Sequence, residues 1–171
     1  MKNLFMLLIL SNLLFAKSNS EILGDIFSIA IPVGAYGTSL YLDDKEGQMQ
    51  FYKSYATSMA TTYLLKYTLR EKRPDSDNKD SFPSGHTSSA FAGASFLHMR
   101  YSLEKGIIPY LAAIFTAYSR VDSNKHHTSD VVAGAIISML SSYYFVTPYK
   151  NLHITPIYKN DFKGLSFNYK W

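Results

Sequence analysis

Charged residues cut this chain into uncharged stretches of helical length. Between Lys53 and Lys66 there are 12 uncharged residues, between Lys105 and Arg120 there are 14, and the stretches 26–42 and 131–149 hold 17 and 19. Such stretches are long for strands, yet a bilayer crossing asks for about 20 apolar residues. Apolar residues recur within them at helical spacing and short polar clusters punctuate them, which predicts helices over 21–42, 48–70, 86–101, 107–119 and 128–146. The expected fold is an all-α helical bundle. The charge spacing favours a compact bundle, and integral membrane insertion is the alternative that the stretches 26–42 and 131–149 keep open.

The two ends read differently from the middle. Residues 1–20, MKNLFMLLILSNLLFAKSNS, begin with Lys2, run apolar over the 13 residues from Leu4 to Ala16 with Ser11 and Asn12 as dents, and finish on small residues. That pattern is a secretory signal peptide, with an uncleaved N-terminal anchor as the other reading. Both send the remainder across a membrane, so the chain is expected to be exported, either periplasmic or membrane-associated and facing the periplasm. Residues 21–150 are of the usual size for one domain. In 151–171, Leu165, Phe167, Tyr169 and Trp171 alternate with polar residues, Leu152 and Ile154 begin a similar run, and the turn-like KNDFKG lies between, so a short C-terminal β-hairpin is expected.

Composition removes several classes. The chain is 47% hydrophobic with a formal charge of +4, too apolar for a disordered protein and only mildly basic. The charge suits an anionic partner, and nucleic acid is not expected. No cysteine is present, which excludes disulfides and thiolate metal sites.

Three clusters hold residue types that chemistry needs. In KYTLREKRP, Lys66 and Arg73 are seven residues apart, close to two helical turns, so both cations are expected on one helix face, with Pro74 ending the helix. In SFPSGHTSSAFAGASF, Pro83-Ser84-Gly85 makes a tight turn into a helix, gathering backbone N–H groups and the positive dipole end around Ser84 to Thr87, where an anion binds well. His86 there is placed to donate a proton to such an anion. In SRVDSNKHHTSD, Arg120 supplies a planar donor set suited to phosphate oxygens, and Asp130 is four residues after His126 and three after His127. A carboxylate bonded to one ring nitrogen makes the other a better nucleophile. Both spacings meet on a helix face, so geometry alone leaves the two histidines tied.

Each cluster alone fits a bland role: a solvated basic face, a hydroxyl cap, a polar loop. Together they form a set for phosphoryl transfer, with cations, nucleophile, orienting carboxylate and acid. Neither a P-loop nor a carboxylate cluster for magnesium is present in the sequence, and the proposed chemistry needs no metal.

In order and spacing the clusters resemble the signature of the type 2 phosphatidic acid phosphatase superfamily, which includes bacterial class A acid phosphatases and vanadium haloperoxidases. That signature reads Lys, six residues, Arg-Pro; then Pro-Ser-Gly-His; then Ser-Arg, five residues, His, three residues, Asp. Here it is met by Lys66 with Arg73-Pro74, by Pro83-Ser84-Gly85-His86, and by Ser119-Arg120 with His126 and Asp130, with no position departing.

The resemblance implies an all-α bundle of the acid phosphatase/haloperoxidase type and phosphatase activity with no cofactor. It breaks the tie in favour of His126 as the nucleophile that forms a phosphohistidine, with Asp130 orienting it and His86 protonating the leaving oxygen. Lys66, Arg73, Ser84, Gly85 and Arg120 would hold the phosphate oxygens, Gly85 through its backbone N–H. The expected substrate is a lipid phosphate, such as phosphatidate, phosphatidylglycerol phosphate, undecaprenyl pyrophosphate or lipid A, or else a small exported phosphate ester. The competing functions are a vanadate-dependent haloperoxidase and a non-catalytic envelope protein that keeps the fold.

Overall fold

The computed structural model describes residues 19–149 and, by backbone alone, 151–159 and 162–170. Residues 1–18, which carry nearly all of the expected signal peptide or anchor, lie outside the described residues. Five helices follow one another: α1 (Asn19–Tyr41), α2 (Lys45–Leu69), α3 (Gly85–Tyr101), α4 (Leu103–Asp122) and α5 (Thr128–Phe145). They alternate in direction, so the start of α1, the α2–α3 loop and the α4–α5 loop gather at one end of the bundle.

The two central boundary differences have local causes. α4 begins at Leu103, earlier than the sequence predicts, because Pro109 is tolerated inside the helix and Glu104 sits in the first turn. α2 ends at Leu69 because Arg70 turns left-handed, with φ 50° and ψ 44°, while its N–H still bonds the Lys66 carbonyl. The helix thus stops five residues before Pro74.

α3 packs against each of the other four helices and is buried along almost its whole length. Its run of Ser, Ala and Gly makes this packing close. A Cβ on Gly93 would lie 2.7 Å from the Pro32 backbone nitrogen, so α1 and α3 touch backbone to backbone at that crossing. Hydroxyls then bond across the helix interfaces. Ser58 meets Ser138 at 2.7 Å between α2 and α5, Thr62 donates to Ser88 at 2.9 Å between α2 and α3, and Ser89 donates to the Ser28 carbonyl at 2.6 Å between α3 and α1.

Many large apolar side chains point the other way, although Ile31, Phe51, Phe91, Phe96 and Leu97 are buried. Ile26, Ile29 and Val33 on α1, Ile108, Leu111 and Ile114 on α4, and Val132, Ile136 and Leu140 on α5 are all exposed. Small residues, many of them polar, thus fill the helix contacts, and an apolar collar surrounds the bundle. By length and composition α1 is also apolar enough to cross a membrane, alone in this among the described residues.

The end away from the loops is closed by a buried ion pair. Asp44, at the cap of α2, accepts from Arg100 Nη2 at 2.6 Å and Nε at 2.7 Å, and also from Tyr101 and the Gly47 N–H. Arg100 reaches on to the Thr147 carbonyl at 2.8 Å and lies over the Tyr149 ring, tying the chain after α5 to the bundle. Beyond it, β1 (Asn151–Lys159) and β2 (Phe162–Lys170) pair antiparallel, with Leu152 opposite Tyr169 and Ile154 opposite Phe167.

Candidate active site

The loop end of the bundle brings the three sequence clusters together. Ser84 N–H donates to the Asp130 carbonyl at 2.9 Å, joining the start of α3 to the start of α5, and the N–H groups of Lys125 and His126 both turn back to the Arg120 carbonyl. Lys125 also bonds Asp75 at 2.7 Å, pinning the α4–α5 loop to the α2–α3 loop.

The structure separates the two adjacent histidines. His126 is 3% exposed and its Nδ1 faces Asp130 Oδ2 at 3.3 Å. That same oxygen accepts from the Ser81 hydroxyl at 2.5 Å and the His127 backbone N–H at 2.9 Å. The His127 ring is turned away to the Lys72 carbonyl, 3.3 Å from Nε2, and the residue serves as the cap of α5. Burial, with the charges of Lys66 and Arg73 nearby, lowers the His126 pKa from 6.5 to about 4, against the opposing pull of Asp130. The ring is therefore neutral near pH 7.

Lys66 and Arg73 do not share a helix face, contrary to the spacing argument. Lys66 stands on the last turn of α2, whereas Arg73 lies in the loop beyond it, because the helix ended at Leu69. The loop folds back on itself, with Ser81 N–H bonded to the Glu71 carbonyl at 2.9 Å and Arg73 N–H to the Asn78 carbonyl at 3.0 Å. Both cations then line one pocket of about 300 Å³ with Gly85, His86 and His126. Asp80 aligns them: Arg73 Nε and Nη2 reach its two oxygens at 2.8 and 3.1 Å, and Lys66 Nζ donates to the Asp80 and Ser81 carbonyls. Burial pushes the Asp80 carboxyl up, but the Arg73 bonds outweigh it, and its pKa stays below the usual value.

Ser84 caps α3 with its hydroxyl fully buried, accepting from Thr87 N–H and Oγ1, so it supports the pocket from behind. Gly85 and His86 occupy the first helical positions, whose N–H groups have no partner within a helix. Arg120 is 2% exposed and lines an adjoining cavity with Arg73, His86, Lys125 and His126. Its donors are engaged: Nη1 on Asp25 Oδ1 at 2.7 Å and Nη2 on the Glu21 carbonyl at 2.7 Å.

Sequence reasoning missed Asp25, Asp80 and Ser81. Asp25 had a signal, as the last charge before the 17 uncharged residues 26–42; Ser81 opens the second cluster without a role of its own, and Asp80 lies in a polar loop with nothing to mark it. A second cavity of about 300 Å³, apolar and lined by Pro32, Val33, Tyr36, Phe51, Tyr52 and Tyr55, runs between α1 and α2. It shares Ser28, Ile29 and Ser89 with the cationic pocket.

A helical bundle with cations and a buried His–Asp pair at one end is an architecture of the acid-phosphatase type. The chain belongs to the PAP2 superfamily, whose family model matches residues 48–153. A lipid A 1-phosphatase of Porphyromonas gingivalis is 40% identical over 78 residues, 44% of this chain and 18% of its own length. A lipid A 4'-phosphatase of Helicobacter pylori is 34% identical over 107 residues, 58% of this chain and 54% of its own length. The chain thus spans about a fifth and about half of these two curated relatives. The crystal structure of Aquifex aeolicus LpxE superposes with a TM-score of 0.56 at 24% identity, over 70% of this chain and 83% of that one, so the fold is shared.

Proposed function

We propose that this protein is a phosphatase of the cell envelope that hydrolyses a phosphate ester carried on a lipid, through a phosphohistidine intermediate. The observation that carries the reading is the continuity of the cationic pocket holding His126 with the apolar groove between α1 and α2, through Ser28, Ile29 and Ser89. A phosphorylated headgroup fits the first and an apolar chain the second. The lipid A phosphatases among its relatives favour the same substrate class.

In the proposed reaction Lys66, Arg73, Arg120 and the N–H of Gly85 hold the phosphate oxygens, with Ser84 fixing the turn that presents them. With the proton on Nδ1 facing Asp130, His126 Nε2 attacks phosphorus. The P–O ester bond breaks and the leaving oxygen takes a proton from His86. Water then attacks the phosphohistidine and gives its proton to His86, the P–N bond breaks, and neutral His126 is restored. The cations stabilise charge that builds on the equatorial oxygens.

The apolar collar supports a place within the bilayer. The helices run from 17 to 25 residues, and at 1.5 Å per residue that is about the hydrocarbon thickness. Of the charges that bound the uncharged stretches, Lys66 and Arg120 turn into the site rather than outward, while Lys53 is exposed on α2. Exposure of the site to the periplasm and export by residues 1–20 complete the reading.

The test is phosphate release by the detergent-purified protein from p-nitrophenyl phosphate, phosphatidate, undecaprenyl pyrophosphate and lipid A, with and without vanadate. Vanadate-sensitive release, fastest from a lipid and absent in His126→Ala, is expected. No release from any substrate would overturn the proposal.

A further inference from the structure

Asp25 lies between the Arg120 guanidinium and the His86 ring. Its Oδ1 accepts from Arg120 Nη1 at 2.7 Å and lies 3.2 Å from His86 Nε2, so one carboxylate oxygen bridges the phosphate-holding guanidinium and the proton donor. The position is fixed by packing. A Cβ on Gly24 would lie 1.9 Å from Ser119 Oγ and 3.0 Å from Arg120 Nη2, so α1 approaches α4 closely enough to aim Asp25 at Arg120. One turn later Ser28, whose hydroxyl bonds the Asp25 carbonyl at 2.7 Å, begins the boundary between the cationic pocket and the apolar groove.

We propose that Asp25 is a specificity-determining residue that competes with every incoming phosphate for Arg120 and His86, raising the binding threshold so that soluble oxyanions do not occupy the site while a phosphate attached to an apolar chain still does. This rests on the lipid phosphatase reading above. A carboxylate and a phosphate oxygen are both anionic acceptors, and the two cannot share the bridging position. Any phosphate must displace Asp25 Oδ1, an equal cost for all ligands. A ligand whose chain fills the groove has binding energy elsewhere to meet that cost, whereas inorganic phosphate or a small ester has none. The carboxylate also places a negative charge beside the incoming anion, which weakens binding of every free oxyanion.

Asp25→Asn keeps the size of the side chain and removes its charge, and Asp25→Ser is measured beside it so that the comparison does not hang on one variant's folding. Vanadate and inorganic phosphate binding are followed by thermal shift and by inhibition, and kcat/KM is compared between p-nitrophenyl phosphate and dioctanoyl phosphatidate. The expected result is vanadate and phosphate binding tighter by about tenfold, from loss of one nearby charge, with KM lowered by a similar factor for p-nitrophenyl phosphate and for the lipid. Unchanged or weaker vanadate binding in both variants overturns the proposal, since Asp25 would then merely organise Arg120. A KM lowered for only one of the two substrates overturns it as well, since the displacement cost is common to both. Absence of phosphate release by the wild type instead overturns the enzymatic reading, and the vanadate thermal shift still decides the role of Asp25.

Discussion

Asp130 faces His126 with an oxygen it already shares: Oδ2 lies 3.3 Å from His126 Nδ1 while accepting from the Ser81 hydroxyl and the His127 N–H. The carboxylate is thereby held rigid, and the ring it orients is held with it. Asp130→Asn removes the acceptor that keeps the proton on Nδ1, and kcat is expected to fall by about 10³ to 10⁴. Ser81→Ala loosens the carboxylate and leaves its charge, so a fall of about tenfold is expected. Steady-state kinetics on any accepted substrate checks both. Equal losses would mean that Ser81 acts directly in the reaction.

The two adjacent histidines are expected to behave differently. His126→Ala should abolish turnover, whereas His127→Ala should retain most of it, because the His127 ring bonds the Lys72 carbonyl at the rim. Trapping of a phosphorylated intermediate in protein quenched in alkaline denaturant, where the acid-labile P–N bond survives, checks the assignment: it should form in the His127 variant and not in the His126 variant.

Burial of neutral His126 has a pH signature in stability. Its folded pKa of about 4 is below its ordinary 6.5, so between those values the unfolded chain binds a proton that the folded one refuses. Stability therefore declines as pH falls from 6.5 to 4, by a contribution of about 3 kcal/mol, and is unaffected by this group above 6.5. His126→Gln should lose that part of the slope. Melting temperatures of both proteins across this window provide the check, and parallel curves would rule it out.

The apolar groove gives a selective prediction. Val33 lines the groove and not the cationic pocket. Val33→Trp should raise KM for long-chain lipid phosphates about tenfold, while p-nitrophenyl phosphate turnover stays as in the wild type. Equal effects on both substrates would indicate a distorted fold instead of a filled groove.

At the far end, Asp44 and Arg100 form a pair with side chains 3% and 2% exposed. Removing one partner leaves the other charged and buried, so Asp44→Ala or Arg100→Met should each cost about 3–5 kcal/mol. The double variant should cost less than the sum of the two, which thermal unfolding in detergent measures as a double-mutant cycle.

Much of this protein was legible before folding. Helical spacing located five helices, and the alternation of Leu165, Phe167 and Tyr169 located the hairpin, because these patterns are local. The residue types for phosphate chemistry were also visible, since Lys66, Ser84-Gly85-His86 and Arg120 to Asp130 each lie within a short piece of chain. Three things were not. Arg73 reaches the pocket from a loop, because a left-handed Arg70 ends α2 early and turns the chain back. Asp25 meets Arg120 across 95 residues, a pairing set by how closely α1 can approach α4 at Gly24. Which of His126 and His127 faces Asp130 depended on the turn that bonds both Lys125 and His126 N–H to the Arg120 carbonyl. The sequence determined the helices and the reacting groups through local periodicity and spacing; tertiary structure decided which groups meet, because contacts between distant segments follow from backbone packing that no local pattern encodes.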